Sequence, residues 1–342
     1  MATKIEWAHE TRNFQSGCTE ARHEDGTMSK ECVNCYARLM SARQEAMGTE
    51  LYKGAARRVG GNAVWTGAFA WSNAKMHEFF DECLRGKYAG KRVFLGSMTD
   101  LFHDDADREM LKMLAANIHG ASPYILGNTH KGQQVFLSRD LIGQGTLKVP
   151  CLPNVIILTK RLANLLKWQS KYFPDGLPSW IWVGVTAGTQ KSVDERLPIL
   201  AQVFSHGVKV VSAEPLLEEI DLTPYLNEKM WVISGGESGH KARPSHPDWF
   251  RSLRNQCLNA GVPYFHKQNG EWIARSQNVE GVVARGDDWG ALARDGTFLR
   301  GATTWNGRDE DSEEGEARMV RVGKKIAGRL LDGVEWSQVP NV

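Results

Sequence analysis

The chain has 342 residues, of which 42% are hydrophobic and 24% charged. These values are typical of a folded, enzyme-sized protein and exclude a disordered, collagen-like or membrane-spanning one. Because the formal net charge is only +2, any contact with nucleic acid must come from a local basic patch.

The six cysteines are unevenly spread: Cys18, Cys32 and Cys35 lie near the N-terminus, and the others are scattered. A sparse, clustered set favours a metal site in a reducing cytosol over a disulfide framework. The first residues contain no apolar leader, and no apolar run is long enough to cross a membrane. We therefore expect a cytoplasmic protein without a membrane partner.

Short apolar runs alternate with amphipathic segments along most of the chain. The runs predict strands covered on both faces, at residues 92–96, 155–158, 180–185, 208–211, 230–233 and 262–265, with weaker candidates at 5–7 and 64–66. Between them, helices are predicted to begin at Ser72, at Asp104, near Val193 and at His246 or Ser245. Alternating strands and helices pair in parallel through right-handed crossovers. The sequence thus predicts an α/β fold, a (β/α) TIM-like barrel that is complete or partial.

The barrel is expected to cover residues 1–302, with an insertion at 121–152 between two of its strands. Residues 303–318 contain an acidic run and are predicted to form a solvated loop. A C-terminal helix and tail are expected over 319–342.

Polar and charged residues follow five of the predicted strands, the position at which a barrel collects its active site. They are Ser97 and Asp100; Thr159, Lys160 and Arg161; Glu214; Glu237; and Lys267 with Gln268. Five such ends favour an active site, although any one of these carboxylates could equally be a structural ion-pair partner. The glycines at 235 and 236 match neither a phosphate-binding loop nor a dinucleotide fingerprint, which argues against ATP and NAD.

Cys18 is separated by thirteen residues from Cys32, which begins a Cys-x-x-Cys pair. Three thiolates can hold an iron–sulfur cluster and leave one iron open to a ligand. Zinc is the alternative, since His23 could complete a four-donor set with the cysteines. The spacing of the cysteines fits an iron–sulfur cluster and a zinc site almost equally well. Their position just after the first candidate strand favours the cluster.

The chain also resembles a known family in the order of its motifs. These are Gly17-Cys18-Thr19, Cys32-x-x-Cys35-Tyr36-Ala37, Ser97-Met98-Thr99-Asp100, Leu158-Thr159-Lys160-Arg161, Ser212-Ala213-Glu214-Pro215, Gly235-Gly236-Glu237-Ser238-Gly239, Ala242-Arg243-Pro244 and Phe265-x-Lys267-Gln268. They resemble the phage three-cysteine-motif family, a divergent branch of the radical S-adenosylmethionine superfamily. The chain departs from the usual superfamily pattern in its long first cysteine gap and in having Asn34 before the last cysteine.

The resemblance implies a (β/α) barrel, a [4Fe-4S] cluster on Cys18, Cys32 and Cys35, and S-adenosyl-L-methionine on the open iron. On this hypothesis the reduced cluster cleaves the cofactor to a 5′-deoxyadenosyl radical, with flavodoxin or ferredoxin as the electron donor. Six residues are expected to bind the cofactor: Ser97, Asp100, Thr159, Lys160, Arg161 and Glu214. Glu237 and Lys267 are the catalytic candidates, and Arg243 and Gln268 are the candidates for substrate binding.

The phage origin that the resemblance implies favours a host bacterial cytoplasm and a nucleobase substrate, most readily a modified thymine in DNA that is rearranged or cleaved. The residues that support a nucleic-acid partner are basic groups such as Lys53, Arg57 and Arg58. Two alternatives stay open. One is a radical enzyme that acts on a small molecule or peptide, and the other is a zinc-stabilised nucleic-acid-binding barrel without a redox role.

Overall fold

The computed structural model describes residues 5–121, 152–277, 289–301 and 315–341. The chain divides into two compact units. The first comprises Met1–Thr19, Ala37–Val183 and Val203–Gly207, and the second Glu20–Tyr36, Gly184–Gln202 and Val208–Val342. The acidic run at 309–314 and almost all of the predicted insertion at 121–152 lie outside the described residues.

The fold is mixed α/β and is built on a seven-stranded parallel sheet. The first four of its strands in sheet order are β1 (Glu10–Arg12), β6 (Arg92–Leu95), β7 (Asn154–Thr159) and β8 (Ile181–Thr186). They are followed by β9 (Lys209–Ala213), β10 (Met230–Gly235) and β11 (Tyr264–Gln268). The six strands predicted from apolar runs are confirmed, because these runs are buried on both faces. The sheet is compatible with a partial barrel, and a complete eight-stranded barrel is not confirmed.

The weaker strand prediction at residues 5–7 is wrong, since Ala8 donates its N–H to the Ile5 carbonyl in a turn. The strand at this edge is instead β1, whose residues are all half-buried. An edge strand needs no continuous apolar run, so its sequence of Glu, Thr and Arg gave no signal.

Seven helices lie in the described part of the chain. They are α1 (Tyr36–Ala46), α2 (Asn73–Leu84), α3 (Arg108–Ala121), α4 (Leu162–Tyr172), α5 (Gln190–Gln202), α6 (Pro247–Asn259) and the single turn α7 (Lys324–Ala327). The predicted cap at Ser72 is confirmed, because its side chain accepts a bond from the Lys75 N–H. The predicted start at Asp104 is wrong. Asp107 caps α3 instead, with its carboxylate 2.8 Å from the Glu109 nitrogen and 3.0 Å from that of Met110.

The first unit also carries two small antiparallel pairs. β2 (Gln15–Ser16) pairs with β5 (Ala70–Trp71), and β3 (Ala56–Val59) pairs with β4 (Asn62–Trp65) in a hairpin. The strand expected at residues 64–66 thus belongs to this hairpin and not to the parallel sheet.

The second unit contains an antiparallel sheet that the sequence pattern did not predict. Its order is β12 (Trp272–Ala274), β15 (Ala317–Arg321), β13 (Trp289–Leu292) and β14 (Phe298–Arg300). A two-stranded pair, β16 (Leu330–Leu331) with β17 (Val334–Glu335), follows α7. The C-terminal segment expected to be a helix is therefore strand, one helical turn and a short hairpin.

Residues 336–338 run along the free side of β11. The His266 nitrogen donates to the Trp336 carbonyl at 2.8 Å, and the Gln338 nitrogen donates to the Tyr264 carbonyl at 3.2 Å. The Trp231 indole donates to the Gln338 carbonyl at 2.9 Å. Within the described residues, no helix has the length and apolar character needed to cross a bilayer.

Candidate functional site

In the first unit, Asp100 organises the loops that follow β6 and β7. Its carboxylate accepts bonds from the Thr159 hydroxyl at 2.6 Å, the Lys160 nitrogen at 3.0 Å and the Phe102 nitrogen at 3.1 Å. The Arg161 guanidinium adds an ion pair at 3.2 Å, with both side chains only 8% exposed. The predicted cofactor-binding residues after β6 and β7 thus lie together, and they bind each other.

Arg161 also fastens the segment that carries Cys18. One guanidinium nitrogen is 3.1 Å from both the carbonyl and the hydroxyl of Thr19, and the Thr19 hydroxyl is 2.6 Å from His103 Nε2. Burial alone would lower the pKa of Arg161, but the negative groups Asp100 and Cys18 raise it above its ordinary value. The Cys18 thiol therefore sits beside a fixed positive charge, a setting in which cysteine reacts or ligates as thiolate.

Gly17 lets another part of the chain approach the Cys18 segment. Its φ is +94°, and a Cβ at this position would lie 2.2 Å from the Ala68 carbonyl oxygen and 3.0 Å from the Phe69 Cα. The Phe69 ring packs against the His103 ring at 4.2 Å between centroids. The segment after β4 therefore lies directly on the residue that precedes Cys18.

In the second unit, the turn that leads to Cys32 is held by a buried ion pair. The Glu31 side chain is 0% exposed and lies 3.6 Å from the 6%-exposed guanidinium of Arg196. It also accepts a bond from the Gly188 nitrogen at 2.9 Å. Burial would raise the pKa of Glu31, but Arg196, the Ser192 and Ser29 hydroxyls and the Gly188 N–H together lower it to about 2.

Asn34, between the two cysteines of the Cys-x-x-Cys pair, ties this segment to the end of β10. Its amide donates to the Glu237 carboxylate at 2.9 Å and to the Lys241 carbonyl at 2.8 Å. Glu237 is buried and also holds the Arg243 guanidinium at 2.9 and 2.6 Å and its backbone nitrogen at 2.8 Å. The predicted catalytic carboxylate and the predicted substrate-binding arginine thus pair with each other.

Glu214, after β9, and Lys267, in β11, form an ion pair. Both side chains keep some exposure, at 19% and 12%, so water or a ligand can reach them. A Cβ on Gly235 would lie 3.3 Å from the Glu214 carboxyl carbon, so the glycine leaves room for this carboxylate.

The two remaining predicted residues support loops. The Gln268 amide donates to the Gly236 carbonyl at 2.8 Å and accepts from the Gly270 nitrogen at 2.6 Å. The Ser97 hydroxyl accepts from the Asn13 amide at 3.1 Å. Both side chains shape the strand ends beside the charged groups.

The cysteines have the donor chemistry that an iron–sulfur cluster needs. Cys18, Cys32 and Cys35 are all free of disulfides, and Cys32 is buried. Cys18 belongs to the first unit and the other two to the second. His23, the fourth donor of the zinc alternative, lies 2.6 Å from the Glu195 carboxylate. As placed, the described residues contain no group of three or more His, Cys, Asp or Glu side chains that could hold a metal ion.

Sequence reasoning named Thr19 and Asn34 only in comparing motifs and gave neither a role, although they connect the cysteine segments to residues at the strand ends. Each adjoins a cysteine in the chain. Since a metal ligand is commonly oriented by the residues around it, that adjacency was the available signal.

A family model described as "Protein of unknown function (DUF5131)" matches residues 2–126 and 151–340. Comparison with curated proteins and with solved structures finds no match. The resemblance to the phage three-cysteine-motif family and the radical S-adenosylmethionine superfamily is therefore wrong as a family assignment, because neither family's model matches the chain.

Proposed function

Since the chain belongs to the family described as "Protein of unknown function (DUF5131)", whose description states no activity, we propose the function that the sequence analysis led us to expect. We propose that it is an iron–sulfur enzyme that binds S-adenosylmethionine and rearranges or cleaves a nucleobase. The observation that carries this proposal is that, in each unit, a cysteine-bearing segment is hydrogen-bonded to charged side chains that follow parallel strands.

In the first unit this anchor is Arg161, at the carboxyl end of β7, which binds Thr19 beside Cys18. In the second unit it is Glu237, after β10, which binds Asn34 inside the Cys-x-x-Cys pair. Ligands of α/β proteins bind at the carboxyl ends of their parallel strands. The anchoring thus fastens each cysteine segment to residues at strand ends, the position where a reacting ligand would bind, and this supports a catalytic role for the thiols.

The cofactors would supply one-electron chemistry that removes a hydrogen atom from an unactivated carbon. The proposed ligands are Cys18, Cys32 and Cys35, whose three thiolates would leave one iron for a small-molecule ligand. Arg161 holds positive charge at Cys18, and Glu237 acts as a positioning residue because Asn34 and Arg243 occupy its carboxylate.

The Glu214–Lys267 pair is the part of this arrangement best suited to touch a ligand. It offers an acceptor and a donor side by side, and both side chains remain partly exposed. Such a pair can hold the amine and carboxylate of an amino-acid group or the polar edge of a base. Lys267 therefore stays the catalytic candidate, with Glu214 as its partner.

The first test is the iron, zinc and acid-labile sulfide content of anaerobically purified protein, together with its visible spectrum. We expect about four irons and four sulfides per chain and a brown colour that dithionite bleaches. Single alanine variants of Cys18, Cys32 and Cys35 should each lose the colour. Cys257→Ala is the matched control, because burial raises the pKa of Cys257 to about 12 and leaves an inert thiol.

A colourless protein that contains one zinc, even after anaerobic reconstitution with iron and sulfide, would contradict the proposal and favour the zinc-stabilised nucleic-acid-binding barrel. If the cluster forms, cleavage of S-adenosylmethionine by dithionite-reduced protein tests the cofactor. A cluster-loaded protein that neither binds nor cleaves S-adenosylmethionine would contradict that part of the proposal.

A further inference from the structure

The β3–β4 hairpin is a two-stranded ribbon whose outer half is open to solvent. Its turn, Gly60-Gly61, has φ of 54° and 79°, and two positive φ values are typical of the tight type I′ turn. All residues from Arg57 to Asn62 are exposed. A Cβ on either turn glycine would meet no atom within 4 Å. This end of the ribbon therefore stands clear of its own unit.

The ribbon is also positively charged, in a stretch without acids. Residues 51–77 contain no Asp or Glu but include Lys53, Arg57, Arg58 and Lys75. Arg85, another exposed arginine of this unit, is by contrast paired with Asp81 at 2.6 Å. Within the described residues, the side chains of Arg57 and Arg58 have no hydrogen bond or ion pair. Two guanidinium groups are thus available to an anionic partner.

The base of the ribbon connects to the Cys18 segment. The Thr66 hydroxyl, just after β4, donates to the Ala55 carbonyl at 3.2 Å. Two residues later the chain reaches Ala68, whose carbonyl oxygen would lie 2.2 Å from a Cβ on Gly17. The chain that leaves the ribbon therefore packs, three residues after β4, against the residue that precedes Cys18.

We propose that the β3–β4 ribbon binds duplex DNA by entering its major groove. The substrate role of that DNA rests on the proposed function, whereas the binding itself rests on the ribbon. A four-residue strand is about 13 Å long, and a major groove about 12 Å wide and 8.5 Å deep admits a two-stranded ribbon. Because neighbouring strand residues point to opposite faces, Arg57 and Arg58 can reach the two backbones that flank the groove.

A single strand fits the ribbon less well. Proteins that bind single strands provide aromatic side chains on which bases stack, and residues 57–62 include no aromatic. The nearest one, Trp65, lies at the ribbon's base opposite the fully buried Ala56. Apart from its two turn glycines, the exposed part consists of the two arginines, Val59 and Asn62. These side chains suit contacts to the DNA backbone and to base edges in the groove.

The test is fluorescence anisotropy of a labelled duplex of about 20 base pairs, titrated at several salt concentrations between about 50 and 200 mM. We expect Arg57→Gln/Arg58→Gln to weaken binding roughly tenfold or more and to reduce the salt slope by about 1.8, or 0.9 per lost phosphate contact. Arg57→Lys/Arg58→Lys should restore most of both. The matched control is Arg85→Gln/Lys112→Gln, which removes the same charge from ion-paired surface positions of the same unit and should bind as the unchanged protein does.

Unchanged duplex affinity and salt slope in the Arg57→Gln/Arg58→Gln protein would overturn the proposal. So would a loss confined to single-stranded oligonucleotides, or equal losses in the control. Iron and sulfide content, measured on the same preparations, separates this result from the proposed function. A colourless protein whose duplex binding depends on these arginines supports DNA binding by the ribbon and contradicts the proposed iron–sulfur enzyme. A cluster-loaded protein whose duplex affinity is unchanged by the double substitution supports the enzyme and contradicts the ribbon proposal.

Discussion

Glu31→Gln tests whether the buried pair beside Cys32 stabilises the second unit as its geometry indicates. The substitution keeps the shape of the side chain but removes its charge. The guanidinium of Arg196, 6% exposed, would then be buried without a counter-charge. Removing one partner of a buried ion pair is strongly destabilising for this reason.

The magnitude follows from the pKa of Glu31, which falls from an ordinary 4.5 to about 2 in the folded protein. At about 1.36 kcal/mol per unit, this difference corresponds to about 3 kcal/mol of folding free energy. Because the folded pKa is depressed, the contribution is present in full above pH 4.5 and is lost as the pH falls through the range from 4.5 to about 2. The difference between the two proteins should therefore be constant near neutral pH and shrink below about pH 5.

Urea unfolding monitored by tryptophan fluorescence, at neutral pH and at several pH values down to about 4, measures this difference. Glu109→Gln is the control, since that carboxylate is 59% exposed and lies 3.4 Å from an exposed lysine. Its expected effect is within about 0.5 kcal/mol. A Glu31→Gln protein as stable at neutral pH as the control would refute the reasoning, as would a difference that grows on acidification.

Three further predictions concern the anchors and the core. Asn34→Ala should speed hydrogen exchange of the amides at 33–36 by about tenfold or more, since a bond to a charged group contributes about 1.5–3 kcal/mol. Unchanged exchange would show that the bond to Glu237 does not hold this segment. Arg161→Lys should lower the free energy of unfolding of the first unit by about 2 kcal/mol or more, because an ammonium cannot reproduce the forked contacts to Asp100 and Thr19, and equal melting temperatures would contradict this. Burial lowers the pKa of His266 to about 4, so the free energy of unfolding should fall as the pH drops from 6.5 towards 4. His266→Gln should make this pH dependence weaker. An unchanged pH dependence in the variant would mean that other groups cause it.

Much of the parallel sheet could be predicted because its strands are buried on both faces. Val155, Ile156 and Ile157, for example, are at most 1% exposed, and such a strand needs an unbroken apolar run. β1 lacks that signal because all its residues are half-buried. The antiparallel strands were missed because they are only three to five residues long. The predicted start of α3 was wrong because two nearby aspartates could each have capped the helix. Asp104 is occupied by Arg161 and Asn164, which leaves the cap to Asp107.

The sequence predicted which charged residues follow the strands but not what they do there. Asp100 pairs with Arg161, Glu214 with Lys267, and Glu237 with Arg243. In the first two pairs the partners come from different strands, and the partners of the third lie six residues apart. The sequence pattern does not show these pairings. Glu214 and Lys267, assigned to cofactor and catalysis, are partners, and so are Glu237 and Arg243, assigned to catalysis and substrate.

The segment at 336–338 has a practical consequence. By hydrogen-bonding to β11, it covers a row of backbone donors and acceptors that would otherwise be free to pair with another molecule. Unprotected sheet edges of this kind promote aggregation. Deleting residues 336–338 would uncover the edge and remove the carbonyl partner of Trp231, so the shortened protein should self-associate even with its thiols and strand ends intact. A tag or fusion placed close behind this segment should be judged first by whether the protein stays monodisperse.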